Sequence, residues 1–144
     1  MHLHAALEGE LAQLDALAPG FANEWNVILT SRASVLLEGP RYATQAAIAL
    51  LTPHMTEPIL TMRGEAFCEM TSGEIGGVIL EDVGELRAED QERLVGWLDA
   101  TRPFTQVIAT TTSPLFHHVS RGRFTAALYY RLNVILVTVG TPGV

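Results

Sequence analysis

The sequence contains no lysine: all nine of its basic residues are arginines. No site in it can therefore depend on a lysine ammonium. Cysteine is nearly absent too, since Cys68 is alone, which excludes an intrachain disulfide framework and a cysteine metal site and makes a reduced cytoplasm the expected setting. No segment approaches the roughly 20 consecutive apolar residues that a membrane helix needs. The first residues, Met1-His2-Leu3-His4-Ala5, lack the basic and then apolar pattern of a signal peptide. Positive charge is scarce overall. The formal net charge is −7 and the pI about 5.1, a balance unsuited to DNA, where affinity rests on basic side chains that neutralise phosphates. The nearest thing to a basic patch is Arg121, Arg123 and Arg131.

What is present is enough apolar material, 48% of 144 residues, for one domain with a real core. Leu3, Leu7, Leu11, Leu14 and Leu17 recur at spacings of three and four, which predicts an amphipathic helix ended by Ala18-Pro19-Gly20. A second helix is expected over Phe21–Leu29 with Trp25, Ile28 and Leu29 inward. Strands are expected at Ser34–Leu37, Ile59–Met62, Val78–Leu80, Gln106–Thr110 and Asn133–Val137, with helices at Ala43–Leu51, Ala88–Leu98 and Ala126–Leu132 between most of them. The unbroken apolar runs Val78-Ile79-Leu80 and Val134-Ile135-Leu136-Val137 point to a mainly parallel sheet covered on both faces, hence a three-layer α/β fold. Residues 1–30 read as a helical segment packed on a core formed by residues 31–144, the whole being a single domain.

Ser34-Val35-Leu36-Leu37-Glu38-Gly39 reads as a buried strand entering a turn, followed by a helix of small residues. That is the context of a phosphate-binding P-loop, G-x-x-x-x-G-K-[ST], in which backbone N–H groups and a lysine hold the phosphates. The register here gives Gly39-Pro40-Arg41-Tyr42-Ala43-Thr44-Gln45-Ala46. Only the first glycine matches, and without any lysine no shift of alignment can restore the motif.

Three further stretches carry a resemblance. Gly76-Gly77-Val78-Ile79-Leu80-Glu81-Asp82-Val83-Gly84-Glu85-Leu86 resembles the Walker B strand and turn of sigma-54-dependent transcriptional activators, G-G-T-L-F-L-D-E-I-G-E-L. Gln106 to Leu115 resembles their sensor I strand, V-I-A-A-T-N-R-D-L. Gly122-Arg123-Phe124-Thr125-Ala126-Ala127-Leu128-Tyr129-Tyr130-Arg131-Leu132-Asn133-Val134 resembles G-R-F-R-E-D-L-Y-Y-R-L-N-V. The stretches occur in the family's order and span about Leu29 to Val139. The resemblance implies the α/β part of an AAA+ domain, a three-layer αβα P-loop fold without its helical lid.

It also implies a set of altered site residues. The second and third loop glycines become Tyr42 and Thr44, and the lysine becomes Gln45; Arg41 could reach across, but as a wider, planar ion. The acid pair that holds Mg²⁺ and positions the attacking water appears in swapped order as Glu81-Asp82. Each side chain is then about 1.5 Å too long or too short, and a misplacement of about 1 Å can cost on the order of a hundredfold in rate. The sensor I asparagine becomes Thr112. Of two arginines that reach a neighbouring subunit's γ-phosphate, the first is Thr125 and the second is kept as Arg131. Only Gly64–Gly77 lies where the family inserts the G-A-F-T-G-A loop that touches the sigma factor.

Other readings weigh structure against chemistry. Glu81 and Asp82 are favoured as a solvated rim or helix cap, with weakened metal binding the alternative. Arg131 stands open between a finger remnant, an interface ion pair and a solvated side chain. Tyr129 and Tyr130 are expected in the core, His117 and His118 at the surface, and Cys68 as a small buried apolar residue; His2 and His4 suggest no site. The resulting expectation is a sigma-54-activator-like domain that is not an enzyme and takes no cofactor or metal. It would act in transcription regulation through protein partners, itself or AAA+ regulator subunits, with no direct DNA or membrane contact. The alternative is a weak ATP-binding or ATPase domain that uses Gly39, Arg41, Thr44, Gln45, Thr112 and the Glu81-Asp82 pair with ATP and magnesium.

Overall fold

The computed structural model describes residues 2–63, 75–100 and 105–140, with side chains from residue 8 onward. Cys68 and most of the Gly64–Gly77 connection lie outside the described residues, as do the side chains of His2 and His4. The leucine stripe forms α1 (His2–Leu17), in which Leu14 is fully buried and Leu11 and Leu17 partly so. Gly20, at φ +94°, makes the turn into α2 (Ala22–Ser31), whose Trp25, Ile28 and Leu29 face inward as their spacing predicts. There follow β1 (Val35–Glu38), α3 (Arg41–Leu51), β2 (Ile59–Arg63), β3 (Gly77–Glu81), α4 (Ala88–Ala100), β4 (Gln106–Thr111), α5 (Leu115–Ser120), α6 (Ala126–Leu132) and β5 (Leu136–Thr138). Among the described residues no helix is long and apolar enough to cross a membrane.

The five strands form one sheet in the order β2-β3-β4-β1-β5, and every pairing is parallel. The period-two alternation of strand side chains divides the core in two. Val35, Leu37, Ile79 and Ile108 pack on one face with Leu14, Trp25, Ile28, Ala47 and Leu51 of α1 to α3. Leu36, Val78, Leu80 and Ala109 pack on the other with Leu94, Leu115, Leu128 and Leu132 of α4 to α6. The two helical layers account for the apolar run Val78-Ile79-Leu80, which lies within a strand buried on both faces.

Three expectations need correction. The last strand does not begin at Asn133. The helix α6 continues to Leu132, Asn133 closes it by donating its N–H to the Tyr129 carbonyl (2.9 Å) and its Nδ2 to Tyr129 Oη (3.1 Å), and only Leu136–Thr138 pairs with β1. β5 is thus a short edge strand, and Val134 in the apolar run is 61% exposed. Tyr130 is not a core residue: it stands 75% exposed, its ring edge-on to the partly buried Tyr129 at 5.6 Å between centroids. The short helix α5 carries no legible periodicity and was not expected at all. His117 is exposed within it, and His118 Nε2 lies 2.7 Å from Ser113 Oγ.

Candidate functional site

In open α/β sheets, ligands bind beyond the carboxyl ends of the strands where connections depart to opposite faces. Here β1 leads into α3 on one face and its neighbour β4 leads into α5 on the other, so the candidate site is at the carboxyl ends of β1, β3 and β4. Gly39, Arg41, Thr44, Gln45, Glu81, Asp82 and Thr112 all fall at this end of the sheet.

The turn after β1 is short. Only Gly39 and Pro40 separate Glu38 from the first residue of α3, so Tyr42, Ala43, Thr44 and Gln45 lie within the helix. Three of the amides at this turn already have backbone acceptors. Gly39 donates its N–H to the Thr111 carbonyl (3.0 Å), while Ala43 and Thr44 donate theirs to the Pro40 carbonyl (2.9 and 3.0 Å). Thr44 is buried and its hydroxyl donates to the Arg41 carbonyl (3.1 Å). Glycine is required at position 39 because the chain leaving β5 passes over it. A Cβ there would lie 2.2 Å from the Val139 carbonyl oxygen. Gly140, at φ +67°, continues this roof; its own Cβ would lie 2.5 Å from that of Ala43. The roof is pinned by the Val139 N–H donating to the Glu38 carbonyl (2.8 Å), the Gly140 N–H to the Leu17 carbonyl (2.7 Å) and the Tyr42 hydroxyl to the Gly140 carbonyl (3.4 Å). The chain leaving β5 thus lies directly against the turn after β1 and the start of α3.

The acid pair is equally engaged. Arg41 and Gln45, one turn apart on α3, share a face and reach the end of β3. Arg41 Nη2 donates to Asp82 Oδ2 at 2.6 Å, and Gln45 Nε2 donates to Glu81 Oε2 at 2.8 Å. Arg63, at the end of β2 and in register with Glu81, spans both acids, with Nη2 3.3 Å from Glu81 Oε1 and Nε 3.5 Å from Asp82 Oδ2. Two arginines therefore balance two carboxylates. The Asp82 side chain is 7% exposed and that of Glu81 16%, so the expected solvated rim is instead a pair of largely buried carboxylates held by half-exposed arginines. Asp82 precedes a 3-10 turn, Val83–Glu85, but makes no side-chain cap bond. Its backbone is held in the left-handed region (φ 55°), with its N–H donating to the Thr110 hydroxyl at 3.1 Å.

Glu38 adds a third carboxylate. At the end of β1, beside Thr111 of β4, its Oε2 accepts the Leu115 N–H at 3.3 Å. Burial pushes its carboxyl above the usual range, and the Leu115 N–H and the nearby His117 offset part of that rise.

Thr112 lies exposed just past the end of β4, and the threonine that touches the acid pair is Thr110. Arg131 is on α6, at the far side of the second core, where it pairs with Asp99 of α4; both side chains are about half exposed. Sequence reasoning missed Arg63, Thr110 and Glu38. Arg63 was the most accessible of these, because an arginine ending a strand beside Glu81 faces it once the parallel register is known.

In this arrangement the carboxylates that would face a metal accept from guanidinium and amide groups, and the Gly39, Ala43 and Thr44 amides donate to backbone carbonyls. Among the described residues no group of three acidic, histidine or cysteine side chains is placed to hold a metal. A shallow hollow lined by Glu57, Pro58 and Ile59 sits at the start of β2, away from this corner.

Comparison with known proteins places this geometry. The family model described as sigma-54 interaction domain matches residues 29–141. No curated protein matches the sequence. Among solved structures, NtrX from Brucella abortus in complex with ATP superposes with a TM-score of 0.64 at 15% identity, over 92% of this chain and 36% of its own. The P-loop NTPase domain of the sigma-54 transport activator from E. coli gives 0.56 at 16% identity, over 86% of this chain and 96% of its own. RuvB from Thermotoga maritima gives 0.54 at 18%, over 87% of this chain and 46% of its own. At such identities the likeness is one of fold, and the chain spans about a third of the NtrX chain.

Proposed function

The chain belongs to the sigma-54 interaction domain family, and from that membership we propose that it is a catalytically silent domain that acts in transcription regulation through contacts with other proteins. The partners are further copies of itself or the AAA+ subunits of regulators, in the cytoplasm and without direct DNA contact. One observation carries the reading: Arg41, Arg63 and Gln45 hold the Glu81-Asp82 pair from within the chain. Phosphoryl transfer depends almost wholly on positioning and charge stabilisation. Here the acids are neutralised, the lysine is replaced by an amide, and the loop that should approach the phosphates is roofed.

A second reading has one observation in its favour. Arg41 and Arg63 are 53% and 51% exposed, so either guanidinium could turn outward to an anion. Weak ATP binding would then use them in place of the lysine. A phosphate-release assay with ATP and Mg²⁺ separates the two readings at the level of turnover. The silent reading expects only background release, the same in wild type and Glu81→Ala; turnover lost in Glu81→Ala or Asp82→Ala would overturn it. Nor is sigma-54 engaged by the family's contact loop, because only Gly64–Gly77 stands where that loop is inserted. A specific complex of purified domain and sigma-54 in a pull-down would contradict this.

A further inference from the structure

The turn that leads from β4 into α5 sets a hydroxyl against an imidazole. Ser113 Oγ and His118 Nε2 lie 2.7 Å apart across it. In the sensor I pattern V-I-A-A-T-N-R-D-L the serine position is the arginine after the asparagine, so the pair belongs to this chain and not to the pattern.

Both partners are held through their own backbone. The Thr111 hydroxyl donates to the Ser113 carbonyl (2.6 Å) and accepts the Ser113 N–H (3.4 Å). Pro114 follows with its φ fixed by the ring, at −59°. The His118 carbonyl accepts the N–H groups of Arg123 (2.8 Å) and Phe124 (3.2 Å). Gly84 faces the pair from the turn after β3. A Cβ there would lie 3.1 Å from Thr111 Oγ1 and 3.8 Å from His118 Nε2, so the glycine keeps that side of the imidazole open. Ser113 is exposed and His118 half-buried, which leaves the hydroxyl reachable while the ring is restrained.

A serine hydroxyl is a weak nucleophile until a base takes its proton, and an imidazole within about 2.6–3.2 Å is the commonest base. With the ring proton on Nδ1, Nε2 is the acceptor. Ser120 gives the contrast. It is exposed on the same helix, but its hydroxyl donates to the Phe116 carbonyl (3.0 Å), which accepts a hydrogen bond without taking up a proton. The surroundings select the electrophile. A net charge of −7 disfavours an anionic acyl donor. The Phe116 ring, three residues beyond Ser113, is 60% exposed and suits an apolar acyl group.

We propose that Ser113 is a site of covalent acylation by neutral, activated esters with an apolar acyl group, and that His118 is its general base. Oγ bonds the carbonyl carbon as its proton passes to Nε2. The bond from that carbon to the leaving oxygen then breaks, and the leaving oxygen takes the proton from Nε2 and departs as the alcohol. The product is an O-acyl serine. This goes beyond the reading above, since a single acylation requires neither ATP nor the Glu81-Asp82 corner.

Incubation of the purified protein with excess p-nitrophenyl acetate, followed by peptide mass spectrometry over time, tests the site. The chain has no lysine, so the amine side chain that would compete for the acyl group is missing. Ser113 is expected to acylate about 100-fold faster than Ser120 in the same molecule, the lower end of what a positioned base contributes. His118→Gln, which keeps a hydrogen-bonding group but no basicity, should slow Ser113 by about the same factor, with circular dichroism confirming the fold. Added imidazole should restore part of the rate at Ser113, relative to Ser120, in His118→Ala. Acylation of Ser113 no faster than that of Ser120, or an unchanged rate in folded His118→Gln, would overturn the assignment. Neither result bears on ATP hydrolysis, so this inference and the silence of the acid corner fail separately.

Discussion

Two arginines of this domain, Arg41 and Arg131, each meet an aspartate of their own chain, and the two pairs differ in one respect. Asp82, the partner of Arg41, is 7% exposed and shared with Arg63; Asp99, the partner of Arg131, is 46% exposed and has Arg131 as its ion-pair partner among the described residues. Burial separates the two cases energetically. A carboxylate withdrawn from water must be compensated, so its partners become part of the fold. A half-exposed pair gains little over hydration and is worth at most about 1 kcal/mol. The acid corner is therefore structural in a way that the α4–α6 pair is not, although Arg131 is the residue that matches the family pattern.

The comparison can be broken at several points. The largest effect is expected from Gly39→Ala, whose added Cβ meets backbone at 2.2 Å and so disturbs the roof over the corner. A loss of about 3 kcal/mol in urea unfolding is expected, the upper end of the range for overpacking. A neutral outcome would mean that the Val139–Gly140 segment yields easily and leaves the loop open. Next comes Asp82→Ala, expected to cost about 2 kcal/mol, since both arginines lose their shared acceptor but remain solvated enough to limit the loss. A double-mutant cycle on Arg41 and Asp82 should give coupling of about 1–2 kcal/mol, against less than about 0.5 for Arg131 and Asp99. Equal couplings would remove burial as the distinction.

Glu38 offers a smaller test with a defined sign. Its folded-state carboxyl is raised by burial, so the folded protein holds the proton more firmly than the unfolded chain does. Stability from this group is lost as pH rises through the raised value, and the penalty vanishes below the ordinary carboxylate range. Glu38→Gln keeps an acceptor for the Leu115 N–H and removes the buried charge. The variant should melt higher than wild type near about pH 8, and the gap should close near about pH 4. The smallest effect is expected for Arg131→Ala, within about 0.5 kcal/mol of wild type by thermal unfolding.

Much of the fold was legible because long periodic segments dominate it. The leucine stripe marked α1, Trp25, Ile28 and Leu29 gave the inner face of α2, and Val78-Ile79-Leu80 announced a strand covered on both sides. The failures have local causes. α5 is too short for a period, and the run from Val134 to Val137 looked like one buried strand because the helix closure at Asn133 leaves no apolar signature. At the site, motif register identified Arg41, Gln45, Glu81 and Asp82 but could not pair them. Pairing depends on α3 starting two residues after β1, which brings Arg41 and Gln45 over the acids, and on the β2–β3 register, which brings in Arg63. Gly39 was read as a remnant of phosphate binding; the structure gives it a different necessity, the passage of Val139 over its α-carbon.

The most direct test of the central claim is calorimetric titration of ATP with Mg²⁺ into the purified protein, with Asp82→Asn beside it. With the corner held by Arg41, Arg63 and Gln45 and the loop roofed, no saturable heat is expected up to ligand concentrations of about 1 mM, in either protein. Saturable binding with a Kd below about 100 μM that is lost in Asp82→Asn would contradict the account and establish the domain as a nucleotide binder.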